Sequence, residues 1–326
     1  MRVEYLLGAI APLGPSVLSI GVFDGVHGGH QRLIMRVAEL AEREHSRPVA
    51  VTFWPHPAAI LRPEEAPPLL TTLDEKLALM AGLGALDTVV VIPFTPELSQ
   101  RTPEAFLDLV AGFCEPRALV EGERFTLGHD RAGTMAYLRE LGARRGFRVE
   151  SEDVRDAAGE RVSSSRIRAL LREGRVEEAA ALLGRLYTLG GEVVRGDQRG
   201  RLLGFPTANL RPDAGKALPA NGVYAARARL PGEGAAQHAA VCNIGVRPTF
   251  GGEPRLLVEA HLLDAEVDLY GLPLALEFVA RLREERRFEG IEALKAQIGA
   301  DAARARALLA ADEVVAGRGG DGRDGR

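Results

Sequence analysis

The sequence predicts two domains of different class: a parallel-sheet α/β domain, then an antiparallel barrel or sandwich that ends in a helix. Three observations carry this. The chain has 326 residues, about twice a typical domain. Its first half alternates short apolar runs with segments of helical period, the pattern of strands buried on both faces and joined by crossover helices. Over residues 187–283 the pattern changes to period-two alternation, cut by Gly, Pro and Asn about every dozen residues.

Taken in order, residues 17–23 read as a buried strand. A Gly-rich turn follows, then a helix over 31–44 with Leu33, Ile34, Val37, Leu40 and Ala41 at helical spacing. Strands are expected at 49–54, 88–92 and 118–121, and helices at 73–83, 103–113 and 135–142. Ligands in such a sheet bind at the carboxyl ends of the strands, where the turn after Phe23 lies. Residues 175–186 form the join, a helix plus a short connector. In the second half, Tyr224, Ala226, Ala228 and Leu230 oppose Arg227 and Arg229, and Leu274, Leu276 and Phe278 oppose Glu277 and Arg281. A helix over about 288–310 comes last. Residues 317–326 hold no apolar side chain and read as disordered. Two G-x-G-x-x-G matches there, at Gly317 and Gly320, have no strand before and no helix after, so they are chance. The expected boundaries are 1–184, 185–311 and a 312–326 tail.

Composition excludes several classes. With 41 basic and 45 acidic residues the net charge is -4, which gives no bulk attraction to nucleic acid or an anionic membrane. No stretch reaches the ~18 apolar residues of a membrane span, and a glutamate interrupts the start MRVEYLLGAI where a signal peptide is apolar. Cys114 and Cys242 lie far apart and read as reduced thiols, so a cytoplasmic location is expected. No Cys/His cluster has metal-ligand spacing. Only Lys76, Lys216 and Lys295 are lysines, an arginine preference that reads as codon bias. None of them completes a Walker-type loop.

Two constellations carry chemistry. In the first, Phe23-Asp24-Gly25-Val26-His27-Gly28-Gly29-His30 ends a strand and opens a helix. The glycines let backbone approach a ligand, the helix start offers free N–H groups, and His27 and His30 aim at one phosphate. Downstream, Ser163-Ser164-Ser165-Arg166-Ile167-Arg168 suits an N-capped helix whose arginines favour a bound anion. The second constellation is 196–210. Gly196, Arg199, Gly200, Arg201 and Gly204 make a flexible basic loop fit to fold over phosphates. Thr207 and Asn209 then offer neutral oxygens of the kind a hydrated Mg²⁺ accepts.

The string GVFDGVHGGHQ with Ser-Ser-x-Arg-x-Arg resembles the nucleotidylyltransferase superfamily, in its FAD synthetase branch. Thr52-Phe53-Trp54-Pro55-His56-Pro57 matches the same branch. The string GDxRGRxLGFPTANL resembles the riboflavin kinase family, as do 221–224, 243–250, 258–261, 268–271 and 281–283. Together they resemble the prokaryotic bifunctional riboflavin kinase/FMN adenylyltransferase family over nearly the whole chain.

The resemblance implies a Rossmann-like nucleotidylyltransferase domain followed by a β-barrel kinase domain with a C-terminal helix. It implies an enzyme that phosphorylates riboflavin with Mg²⁺ and ATP, then joins FMN to the adenylyl group of a second ATP. FMN and FAD are then substrate and products, and the molecule a monomer or weak homo-oligomer.

By the same likeness His27, His30, Arg168 and Glu259 are catalytic. Gly21, Phe23, Asp24, Gly25, Gly29, Ser163, Ser164, Gly196, Arg199, Gly200, Arg201, Gly204 and Pro206 bind ATP or its phosphates. His56, Pro57, Glu123, Arg124, Phe125, Asn243, Arg247 and Arg283 face flavin, and Thr207 and Asn209 hold the metal. The chain departs from the family at Arg124, where Asp or Asn is usual, and at Leu127, where an aromatic is usual. The alternatives are a riboflavin kinase that has lost adenylyl transfer and a non-enzymatic flavin binder.

Overall fold

The computed structural model describes residues 1–196, 204–231, 237–247, 255–265, 267 and 269–319. It separates into two compact units, Met1–Ser164 and Ser165–Arg326.

The first unit is a wholly parallel six-stranded sheet. Its strands are β1 (Arg2–Tyr5), β2 (Pro15–Ile20), β3 (Arg47–Trp54), β4 (Thr88–Pro93), β5 (Glu115–Gly122) and β8 (Arg148–Glu152), in the order β1-β4-β3-β2-β5-β8. A small hairpin of β6 (Thr126–Leu127) and β7 (Gly133–Thr134) stands apart.

Alternation along the strands feeds two cores. On one face Val17, Ala50, Val89 and Val91 pack with Ile34, Val37 and Leu40 of helix α1 (Gly28–Arg43) and Met80 of α3 (Leu73–Gly82). On the other, Leu18, Ile20, Val51 and Ile92 pack with Phe106 and Val110 of α5 (Pro103–Ala111) and Leu138 and Leu141 of α6 (Met135–Arg145). Short helices α2 (Pro57–Leu61) and α4 (Pro96–Ser99) follow β3 and β4. The edge strands β1 and β8 are not announced by the sequence pattern. Each is short, half exposed or charged, and carries no apolar run.

Strand order positions the first site. From β2 the chain steps outward through β3 and β4, then returns to place β5 on the other side of β2. The reversal between β2 and β5 is the topological switch point, where ligands of such sheets bind beyond the strand ends. The β2–β5 ladder stops at Leu18 and Leu119. Beyond it, the Ile20 N–H donates to the buried Glu121 carboxylate at 2.6 Å.

The second unit opens with α7 (Ser164–Arg172) and α8 (Val176–Leu183) and continues as a closed antiparallel barrel. Of the two antiparallel forms the sequence allows, closure selects the barrel. Strand β9 (Tyr187–Val194) pairs both with β10 (Ala208–Pro212) and with β14 (Pro273–Arg283). Between them run β13 (Arg255–Leu262), β12 (His238–Arg247) and β11 (Gly222–Arg229), in the barrel order β10-β13-β12-β11-β14-β9. Tyr187, Tyr224 and Phe278 fill the interior, and the two phenols donate to the Ala217 and Ala220 carbonyls, so neither hydroxyl is stranded.

Helix α9 (Ile291–Gly319) runs past the expected end near residue 310. It covers the outer face on the β11, β12 and β14 side, with Ala302, Ala305 and Leu309 against Val223, Ala225, Val241 and Leu282. Arg283 pins it by a fork onto Asp301 at 2.8 to 3.1 Å, with Asp301 buried. The chain end, 320–326, lies outside the described residues.

Candidate active sites

The turn after β2 forms the first site. Its backbone is strained at Phe23 (φ 51) and Val26 (φ 39), with Gly25 at φ 83. α1 starts at Gly28, before the expected residue 31, because His27 caps it. The His27 Nδ1 accepts the His30 N–H at 3.3 Å. With Nδ1 accepting, the ring N–H of His27 lies at Nε2. The His27 and His30 rings stack at 3.6 Å, 15° apart, and Phe23 meets His30 edge-on at 5.2 Å.

Burial first, and then the neighbouring His27 and Lys76, hold His30 well below the ordinary histidine pKa. It is therefore neutral at pH 7. Its Nδ1 is buried with no hydrogen-bond partner among the described residues. An uncharged ring with an unmet polar atom suits a group that meets a phosphate oxygen. A Cβ on Gly29 would stand 3.1 Å from the His27 ring, so glycine keeps the ring in place.

The other expected residues of this unit fall in three places. Ser164 comes to the turn and donates to the Asp24 carbonyl at 2.9 Å. The Asp24 carboxylate turns inward and accepts the Leu70 and Thr71 N–H groups at 3.0 Å. His56 caps α2, its Nδ1 accepting the Ala58 N–H at 3.1 Å, with Pro57 at the first helical position. Glu123 and Arg124 line a cavity of about 400 Å³ with Asp153, Arg155, Gly159, Glu160 and Arg161. Phe125 packs back onto the sheet core. In the second unit, Arg168 lies buried on α7.

The second site is a row of side chains across the barrel's outer face. The register pairs Asn209 of β10 with Glu259 of β13, and Glu259 with Asn243 of β12. Directly opposed residues on neighbouring strands share a face. Their neighbours Cys242 and Ala260 are fully buried inward, which directs this row outward. The carboxylate of Glu259 therefore stands on the face away from the core.

Around the row, a Cβ at Gly196 would run into the Asn209 side chain, so glycine there lets that side chain sit close. Gly245 does the same beneath Glu285, whose carboxylate accepts the Asn243 amide at 3.4 Å. His261, two residues beyond Glu259, bonds the Pro206 carbonyl through Nδ1 at 2.7 Å, and Phe205 lies edge-on to its ring. Gly204, with φ 86, Pro206 and Thr207 lead into β10 beside it. Arg283 is held by Asp301. Arg247 closes β12, and Arg199, Gly200 and Arg201 lie outside the described residues.

Sequence reasoning missed the buried charges that support both sites: Lys76 and Glu121 in the first unit and Asp301 in the second. A signal existed for Lys76. It stands one turn before the core residue Met80, on the face where an apolar side chain is expected.

Two family models match the chain, one in each half. A family model described as FAD synthetase matches residues 10–166, and one described as riboflavin kinase matches 183–309. A Listeria monocytogenes protein named bifunctional riboflavin kinase/FMN adenylyltransferase is 36% identical, over 90% of this chain and 92% of its own. One of the same name from Pseudomonas fluorescens is 38% identical, over 90% and 93%. The crystal structure of a macrolide-efflux protein from Streptococcus pneumoniae matches 94% of this chain and 99% of that one, at TM-score 0.82 and 26% identity. With both family models in order and more than a third of residues shared over nine-tenths of the relatives, the chain belongs to the bifunctional riboflavin kinase/FMN adenylyltransferase family.

Proposed function

We propose that this chain is the complete two-step enzyme of its family, a riboflavin kinase and FMN adenylyltransferase that makes FMN and then FAD with ATP. The observation that carries the first step is the Asn209–Glu259–Asn243 row. The ribityl 5′-hydroxyl of riboflavin attacks the γ-phosphorus, Glu259 accepts its proton, and ADP leaves.

Thr207 and Asn209 would hold magnesium. Their oxygens are neutral, and glycine at 196 lets the Asn209 side chain lie close against the backbone there. That set fits Mg²⁺, which keeps waters and takes substrate phosphates rather than an all-protein cage. When bound, the ion neutralises charge on the β- and γ-phosphates. Asn243 and Arg247 would face flavin and Gly204 and Pro206 the nucleotide, while Arg283 would support this side of the barrel through α9.

In the second step an FMN phosphate oxygen attacks the α-phosphorus of another ATP and pyrophosphate leaves. No covalent enzyme intermediate is needed. His27 and His30 donate to phosphate oxygens from the capped start of α1, with Gly21, Gly25 and Gly29 giving close backbone approach. Asp24 and Ser164 shape the turn. His56, Pro57, Glu123, Arg124 and Phe125 would take the flavin side, and Arg168 would meet phosphate.

We assign adenylyl transfer to 1–184 and the kinase to 185–311, with 312–326 a tail outside both. No helix among the described residues is long and apolar enough to cross a membrane. We place the enzyme in the cytoplasm, as a monomer or weak homo-oligomer with neither nucleic acid nor membrane as partner.

The test supplies riboflavin and ATP to the whole chain with and without magnesium and separates the flavins by chromatography. FMN followed by FAD is expected with magnesium, and neither with the metal chelated. Unchanged FMN formation under chelation would overturn the metal assignment, and no flavin product under any condition would overturn the enzyme.

A further inference from the structure

The turn that opens the first site is held from outside itself. Phe23 and Val26 stand at positive φ, and for a β-branched residue that conformation is costly enough to persist only where the surroundings impose it. The ties converge from one short segment at the start of α3. Thr71 Oγ1 accepts the Gly25 N–H at 3.0 Å and donates to Asp24 Oδ1 at 3.3 Å. The Asp24 carboxylate accepts the Leu70 and Thr71 N–H groups. One turn on, Lys76 Nζ donates to the Val22 carbonyl at 3.0 Å and the Thr52 hydroxyl at 3.0 Å, and reaches the Phe53 carbonyl at 3.4 Å. A capping box between Thr72 and Glu75 fixes the start of the helix that carries it.

Lys76 is 3% exposed, and burial pushes its pKa down to about 8 although Asp24 opposes this. An apolar side chain would fill this helix position without desolvating a cation. What the lysine adds is a tie between the ends of β2 and β3 at the residue before the strained turn.

We propose that Thr71 and Lys76 form a positioning clamp that holds the strained turn in the shape that receives the triphosphate of ATP. This rests on the assignment of adenylyl transfer to that turn.

The experiment uses the whole chain with Lys76→Met, Lys76→Arg and Thr71→Val, the last nearly isosteric and without charge change. FAD formation from FMN is followed with ATP varied. FMN formation from riboflavin serves as the control within the same molecule, and hydrogen exchange is read over residues 22–30. The Lys76→Met and Thr71→Val variants should lower kcat/KM for FAD formation by about 10- to 100-fold, chiefly by raising KM for ATP. Kinase activity should stay within about twofold, exchange over 22–30 should quicken, and Lys76→Arg should recover part of the loss.

A folded Lys76→Met protein with unchanged FAD kinetics and exchange would overturn the clamp. So would parallel loss of both activities, which marks general destabilisation. If Lys76→Met does not fold, Thr71→Val decides on the same readouts. If the unaltered chain makes no FAD, the adenylyl assignment falls by itself, and exchange alone decides the clamp: quickened exchange upholds it and unchanged exchange overturns it.

Discussion

The Glu259→Gln protein should bind riboflavin and convert it to FMN some 10²–10⁴-fold more slowly, while still turning supplied FMN into FAD. Glu259 stands between Asn209 and Asn243 in one cross-strand row, on the outward face of a strand whose inward neighbours Val258 and Ala260 are buried. Glutamine keeps the size and one acceptor oxygen but cannot accept the proton of the attacking alcohol. Riboflavin affinity, measured by flavin fluorescence, should therefore change little. A Glu259→Gln protein with near-normal FMN formation would assign the proton to another group.

The second large effect is expected at the capped start of α1. His27→Asn keeps an acceptor for the helix cap but removes the ring, and His30→Asn removes the second imidazole. Each should slow FAD formation by about 10²–10³-fold and leave riboflavin phosphorylation intact. His30 also has a stability signature of known sign. Its folded pKa is depressed, first by burial, so the unfolded chain binds a proton more readily than the folded one. Stability from this group is present above the unfolded value of about 6.5 and is lost as the pH falls below it toward the folded pKa. His30→Asn should flatten that part of the stability–pH curve, as measured by denaturation at a series of pH values. An unchanged slope would show that His30 titrates as in the unfolded chain.

The fold was legible where burial is two-sided. Strands β2 to β4 are largely apolar runs, and β5 keeps a short one at 118–120, because helices cover both faces of the sheet, and their places follow from the sequence. β8, with the sequence RVESE, is an edge strand and carries no such run. Period-two alternation announced antiparallel strands but left closure open, because closure depends on β9 pairing with both β10 and β14. The motifs named Asn209, Glu259 and Asn243 one at a time. Only the register shows that they are lateral neighbours. Lys76, Glu121 and Asp301 escaped notice because a lone charge in a helix or strand reads as a solvated face, while here each is buried and bonded.

One chain should cleave ATP at two different bonds, and the fate of labelled phosphorus tests this most directly. With riboflavin as the starting flavin, ATP labelled at the γ-phosphorus should mark both FMN and FAD. ATP labelled at the α-phosphorus should mark FAD alone. Label from the γ-position in FMN with none from the α-position in any flavin would contradict the account, leaving a kinase whose first domain does no chemistry.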